Sequence, residues 1–452
     1  MYFTYEEQIK NIIFSDSKNR GTLEEKYFPR LLLLKKRKKI LRKYFKELNI
    51  HAVRDDDYEQ KKARILSLLT KINESIVSFI NLQSVDISRK IIQDNYTPTL
   101  SKLDHKIKGK PIFTTKIKVV DSFIETIESD FIQRISKSEI NYAFEVSASD
   151  RDKTISSLIP LLDDQSPKCI YRTDIKNFYE SVPHDNLLTF INSSKKLTQS
   201  TKNLINSILT QYSRITGLNK GLPRGVPISA TLAELYMKKV DIKIMALDCV
   251  NFYARYVDDI FIIIKTRKSD CESYKREIES VEKIIKDHCL NNNKEKTDST
   301  FFDKTRSNFK FDFLGYNFIF KNKSLEIKLS DKKFEKYQSR INKIFYNYLK
   351  NRDENEGIAT QFLINQIKYI TSNVQLMNRK SNVFSGVYYS NKFITDCSQL
   401  ESLDSYLHSK AELYCKEKYS FKIKKLSFLY GYENLVFRNY KPSELYNITR
   451  NL

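Results

Sequence analysis

The stretch NFYARYVDDIFIIIK, residues 251–265, decides how this chain is read. Two adjacent aspartates, Asp258 and Asp259, separate apolar and aromatic runs whose composition predicts buried strands. Taken alone, VDD reads as a hairpin turn, because aspartate often occupies tight turns. A two-residue hairpin prefers Asn-Gly or Asp-Gly, since both central residues need positive φ, and Asp-Asp meets that need poorly. Flanking strands this apolar also hold the two like charges in a low-dielectric place. A divalent cation is the most direct relief, and hard Mg2+ takes one or two carboxylates plus substrate phosphates while keeping some waters.

A metal-bound phosphoryl site needs a further carboxylate from elsewhere in the chain. KCIYRTDIKNFYESVPHDNLL, residues 168–188, supplies one: a strand over Cys169–Thr173 delivers Asp174 at its end. A chain reversal carrying Phe178 and Tyr179 follows, then a helix beginning near His184 and Asp185. Three carboxylates on one sheet edge can hold two Mg2+ ions about 3.5–4 Å apart. Between these stretches lies GLNKGLPRGVPISATLAELYM, residues 217–237, holding three of the nine glycines, Gly217, Gly221 and Gly225. The segment predicts a loop running into an amphipathic helix, with Thr231 and Glu234 spaced as a capping box or Ser229 as the cap. Such a loop lets backbone approach a nucleotide closely, although on its own it is equally a corner of the fold.

The remaining composition sets the class. With 78 Lys and Arg against 55 Asp and Glu, the 452-residue chain carries a formal charge of +23, which calls for a polyanionic partner. Charge alone leaves both nucleic acid and a membrane surface open. Six cysteines include no CxxC pair, so a structural zinc site is not expected and reduced thiols are. MYFTYEEQIK lacks signal-peptide order, and LLLL at 31 and IFIII at 260 are too short to span a bilayer. A cytoplasmic protein without a membrane segment is expected. Residues 1–105 read as a basic helical extension, in which RLLLLKKRKKILRKYFKEL (30–48) presents Lys and Arg between apolar positions. Short strands (KPIFTTKIKVV, KCIYRTDI, VNFYARY, DIFIIIK, FKFDFLGYNFIF) alternate with helices over 106–325, an α+β pattern with a largely antiparallel sheet. Residues 326–452 turn helical again.

Together these stretches resemble the reverse transcriptases. TDIKNFYESVPHDNLL is similar to their motif A, GLPRGVPISATLAELYM to motif B and YVDD to motif C. NKEKT (293–297) resembles the later block with a lysine, and FDFLGYNF (311–318) the block that grips the primer end. Five blocks in one order are specific where YVDD alone is not. The resemblance covers about residues 105–330. It implies a right-hand polymerase, with fingers and an antiparallel palm over 106–325 and a helical thumb and extension over 326–452. It assigns Asp174, Asp258, Asp259 and the carbonyl of Ile175 to two Mg2+ ions, for which Mn2+ can substitute. It places Phe178 and Tyr179 at the sugar of the dNTP, where the tyrosine ring would exclude a 2′-hydroxyl. Gly221, Pro223, Arg224, Gly225 and Ser229 form the template and nucleotide loop, and Lys296 attends the departing pyrophosphate. Phe313, Leu314, Gly315 and Tyr316 hold the primer.

This chain also departs from the family. Arg224 stands where most members carry glutamine, putting a long cation near the templating base or incoming phosphate. No NAxxH-like stretch or VTG of the retron enzymes is evident, and no zinc or endonuclease segment of mobile-intron enzymes follows the thumb. The wording of motifs B and C and the helical C-terminal extension most resemble the abortive-infection and defence-associated bacterial group. That likeness implies an RNA template, with a structured noncoding RNA the leading candidate, a DNA product and an antiphage role, with a second defence protein or a homo-oligomer as partner. Protein-primed or untemplated DNA synthesis by the same site is the alternative. An idle RNA-binding module and an RNA polymerase are disfavoured by the aspartates and by Tyr179, respectively.

Overall fold

The computed structural model describes residues 4–19, 22–50, 57–93, 100–102, 119–121, 126–147, 149–164, 166–265, 271–302, 308–321, 323–375, 383–440, 442–449 and 452. They divide into two compact units, each discontinuous in sequence. One comprises Met1–Ala148, Asp174–Ala246 and Val281–Glu295; the other comprises Ser149–Thr173, Leu247–Ser280 and Lys296–Leu452.

The first unit is mainly helical. Its N-terminal part forms the helices Tyr5–Asn19, Thr22–Lys26, Pro29–Ile50 and Tyr58–Gln93, as the apolar spacing predicts. Pro29–Ile50 buries Leu31 and Leu48 and leaves Lys36, Arg37, Lys39, Lys43 and Lys46 exposed. One helix among the described residues, Tyr58–Gln93, is long and apolar enough by length and composition to cross a membrane. Its Ile76, Ile80, Ile87 and Ile91 are buried within the protein. Inspection of uninterrupted apolar runs misses this helix, because polar residues are distributed along it. Strand β1 (Leu100–Lys102) pairs antiparallel with β2 (Val119–Asp121). The strand expected over KPIFTTKIKVV lies outside the described residues except for its last two positions. The helices Ile127–Phe144, His184–Ser193, Gln199–Thr216 and Pro227–Met245 complete the unit's main frame.

The second unit carries the main sheets. Strands β3 (Lys168–Asp174), β4 (Val250–Tyr256), β5 (Asp259–Ile264) and β6 (Asp298–Phe302) form one sheet in the order β4-β5-β3-β6. The β4/β5 and β3/β6 pairs are antiparallel. The unit boundary falls between Thr173 and Asp174, at the last residue of β3. Strands β7 (Phe309–Phe313), β8 (Tyr316–Lys321) and β9 (Ser324–Leu329) form an antiparallel three-stranded sheet. Phenylalanines bind the two sheets into one core: Phe261 of β5 lies 4.7 Å from Phe313 and 5.3 Å from Phe311, ring centre to ring centre. Helices including Asp331–Asn351, Glu356–Ile370 and Ser398–Tyr414 pack on that core, with β10 (Asn373–Gln375) and β11 (Phe384–Gly386) as a small ribbon. The α+β class and the antiparallel pairing expected from the sequence are therefore observed.

Candidate active site

In the β4/β5 hairpin Tyr256 faces Asp259, so the two-residue turn is Val257-Asp258 and not the Asp-Asp pair. The hairpin reading holds, and its strain falls on valine: Val257 has φ 62°. A β-branched residue in the left-handed region costs on the order of 1–3 kcal/mol and persists only where its surroundings over-determine it. Here the five residues Ile260–Ile264 are wholly buried, and the Arg255 guanidinium donates to the Val257 carbonyl at 2.8 Å. The strained turn leaves Asp258 and Asp259 half-buried on a rigid ribbon. Adjacent carboxylates of this kind are hard oxygen donors of the sort Mg2+ selects. Among the described residues no group of three or more His, Cys, Asp or Glu side chains stands ready to hold a metal ion.

Asp174 is buried in the first unit at the end of β3. Asn293 secures it twice, donating from its backbone amide to the Asp174 carbonyl at 2.7 Å and from Nδ2 to Oδ2 at 3.3 Å. The Lys176 backbone amide donates to the Asn291 carbonyl at 2.8 Å, which with the Asn293 amide bond makes an antiparallel bridge between Ile175 and Asn292. Those two bonds use groups of Asp174 and Lys176, so the Ile175 carbonyl assigned to metal is not spent on the bridge. Asn291, Asn292 and Asn293 are thus the splint that holds Asp174.

A cavity of about 420 Å3 lies wholly within the second unit, lined by Arg172, Asp259, Lys296, Asp312–Gly315, Ser330, Lys332, Lys333 and Lys336. It brings together three elements the sequence assigns to one site: the Asp259 hairpin, Lys296 and the FLGY turn. Five cations against two carboxylates suit a phosphate-bearing ligand. Four of those cations escape a motif search. Arg172 precedes Asp174 by two residues and so shares its face of β3, while Lys332, Lys333 and Lys336 lie on neighbouring positions at the start of the helix Asp331–Asn351. Their i, i+1, i+4 spacing was the available signal.

Within FDFLGYNF, residues 311–318, buried and turn positions are distinct. Phe313 and Tyr316 are buried in the core and support the hairpin. Leu314 and Gly315 form its turn, both at positive φ (48° and 80°), a pattern in which leucine is strained. Arg151 restrains that turn, donating to the Leu314 carbonyl from Nε at 3.0 Å and from Nη2 at 2.8 Å, with its guanidinium 4.7 Å from the Tyr316 ring centre. Lys333 beside it is half-buried, and desolvation first, then the Arg151 charge, pull its pKa down to about 7.

In the first unit the motif A turn and the glycine loop are tied together. The Leu222 amide donates to the Tyr179 carbonyl and the Gly221 amide to the Val182 carbonyl, both at 2.7 Å. Buried His184 joins the loop through Nε2 to the Gly221 carbonyl at 2.6 Å. Gly221 and Gly225 have φ 98° and 91°, the unusual backbone their clustering predicts. The helix after the loop begins earlier than its capping-box spacing suggests. Pro227 is its first residue and Val226 its cap, so Thr231 lies inside it and Ser229 is buried in its first turn. Proline's fixed φ and missing amide suit that first position, where the donor would be unpaired anyway. Arg224 turns onto Glu180 and Tyr179: Nε and Nη2 donate to the two Glu180 carboxylate oxygens at 2.7 and 3.1 Å.

Residues 108–318 match the family described as reverse transcriptase (RNA-dependent DNA polymerase). No curated protein gives a significant match to the chain. The match encloses Asp174, Tyr179, Arg224, Asp258, Asp259, Lys296 and Tyr316. The chain carries a reverse transcriptase domain over these residues and is a nucleotidyltransferase, an RNA-directed DNA polymerase. Such domains generally use Mg2+ and act on an RNA template and dNTPs to make DNA.

Proposed function

With a reverse transcriptase domain as the premise, we propose that the chain extends a primer 3′-hydroxyl with dNTPs by two-metal nucleotidyl transfer and serves bacterial antiphage defence. The observation that carries the chemical part is the cavity shared by Asp259, Lys296 and Phe313–Gly315, because it joins hard acidic donors to a cationic phosphate surface at the strained hairpin. Asp258 and Asp259, with Asp174, would hold two Mg2+ ions. When bound, those ions make the hydroxyl a better nucleophile and stabilise the leaving oxygen. The protein's part is positioning: Leu314 and Gly315 seat the primer end, Tyr179 lies against the sugar, and Lys296 offers charge or a proton to the departing pyrophosphate. Residues 1–105, 106–325 and 326–452 serve as basic extension, fingers-palm and thumb in this reading, and a structured noncoding RNA in the cytoplasm is the template. The resemblance of motifs B and C to the defence-associated group supports the antiphage role. Asp258→Asn tests both parts. It abolishes primer extension, leaves RNA affinity within about twofold because the phosphate-facing lysines remain, and removes protection in a phage plating assay. Normal extension by this variant overturns the site assignment; unchanged protection overturns the link between synthesis and defence.

A further inference from the structure

Arg224 is the position at which this chain departs from its family, and its geometry gives the departure a purpose. The guanidinium carbon stands 4.8 Å from the centre of the Tyr179 ring, over its face. Glu180 holds the guanidinium in a two-pronged ion pair at 2.7 and 3.1 Å. Phe178, buried in the core, meets Tyr179 edge-on with ring centres 5.7 Å apart. The backbone of Tyr179 is fixed from the same loop by the Leu222 amide. The loop comes this near only because residue 221 is glycine: a Cβ there would stand 2.9 Å from Tyr212 Cε1 and 3.3 Å from the Glu180 Cα. Ring face, ring edge and backbone are thus each restrained, and the partners span 44 residues of sequence between Glu180 and Arg224.

We infer that Arg224 and Glu180 form a clamp that holds the Tyr179 ring in place and thereby sets how strongly the enzyme rejects ribonucleotides. This rests on the polymerase reading above and deepens it. Exclusion of a 2′-hydroxyl by a ring is a steric effect, and its strength depends on how little the ring can yield. A neutral glutamine at 224 could hydrogen-bond, but it could neither complete the two-pronged carboxylate pair nor present a cation to the ring. In this chain the cation serves the sugar gate by acting through Tyr179, so Arg224 and Glu180 are positioning residues.

The test is single-nucleotide incorporation of dNTP and rNTP by the full-length enzyme, reporting kcat/KM for each and their ratio. The expected result is that Arg224→Gln and Glu180→Gln each relax the preference for dNTP by roughly tenfold, the size of effect a restrained cation–π contact can exert. Arg224→Lys, which keeps charge without the fork, should recover the preference only partly. In a Tyr179→Val background, which itself admits ribonucleotides, Arg224→Gln should relax it no further, because the clamp has nothing left to hold. If Arg224 served the triphosphate directly, Arg224→Gln would weaken dNTP and rNTP alike, leave the ratio unchanged and spare Glu180→Gln; that pattern overturns the clamp and leaves the polymerase intact. Failure of the wild-type enzyme to incorporate any dNTP overturns the polymerase reading itself. Circular dichroism of each variant separates loss of the clamp from loss of folding, and Glu180→Gln provides the same readout should Arg224→Gln misfold.

Discussion

Replacing Arg151 by methionine should loosen the Leu314-Gly315 turn without emptying the core. Arg151 reaches 163 residues along the chain to give the Leu314 carbonyl two hydrogen bonds, at 3.0 and 2.8 Å. A hydrogen bond from a charged donor contributes about 1.5–3 kcal/mol net, and water can partly replace the pair at a half-exposed turn. The cation over Tyr316, 4.7 Å from the ring centre, adds about 0.5–1 kcal/mol. Leu314 gains nothing from its own backbone, since φ 48° is a conformation it leaves readily. The loss from Arg151→Met is therefore about 2–4 kcal/mol of local stability. At about 1.4 kcal/mol per factor of ten, amide exchange over residues 309–321 should speed up roughly 30- to several-hundred-fold. Strand β5 should change far less. If the turn seats the primer end as proposed, KM for the primer should rise more than kcat falls. Arg151→Lys should behave like methionine in exchange, as a single ammonium cannot span both bonds. Unchanged exchange in the hairpin together with unchanged primer KM in folded Arg151→Met would refute the reasoning.

Three further outcomes follow from the geometry. Gly221→Ala should cost about 1–3 kcal/mol through its positive φ alone and more through the contact 3.3 Å from the Glu180 backbone, read as a lower melting temperature and a weaker dNTP preference. Val257→Gly should raise thermal stability by up to about 1 kcal/mol by relieving the strained turn, yet slow synthesis because Asp258 loses its fixed direction; a destabilised, fully active variant would contradict this. Lys333, held near 7 in the folded protein, keeps its proton to about 10.5 when unfolded. The unfolded chain thus binds more protons between those values, and stability should rise with pH across that window. Primer–template affinity should fall over the lower part of it as the cavity loses a charge. Lys333→Gln should flatten both profiles, and Arg151→Met should move the midpoint up by removing a neighbouring cation; profiles indifferent to Lys333→Gln would exclude it as the titrating group.

Much of the site is readable in one dimension because its signals are local. β-rich runs ending in aspartate place Asp174 at the end of β3 and Asp259 at the start of β5, and clustered glycines announce the positive-φ loop. The order of five blocks then identifies the polymerase class. Details of turn and cap are less legible, because several residues satisfy the same spacing. Val257 took the strained position that Asp258-Asp259 suggested, and Pro227 opened the helix that Ser229 or Thr231 could have capped.

What pattern alone could not decide is which distant groups meet. Arg224 reads as a cation for template or phosphate, and only the folded loop shows it paired with Glu180 over Tyr179. Arg151 and Lys333 carry no motif, yet one restrains the FLGY turn and the other charges its cavity. Periodicity specifies the face and the local backbone of a residue, since these depend on neighbours a few positions away. Partners 44 or 163 residues apart are chosen by packing and by the penalty of leaving a buried charge or carbonyl unmet, and those terms exist only once the chain has folded.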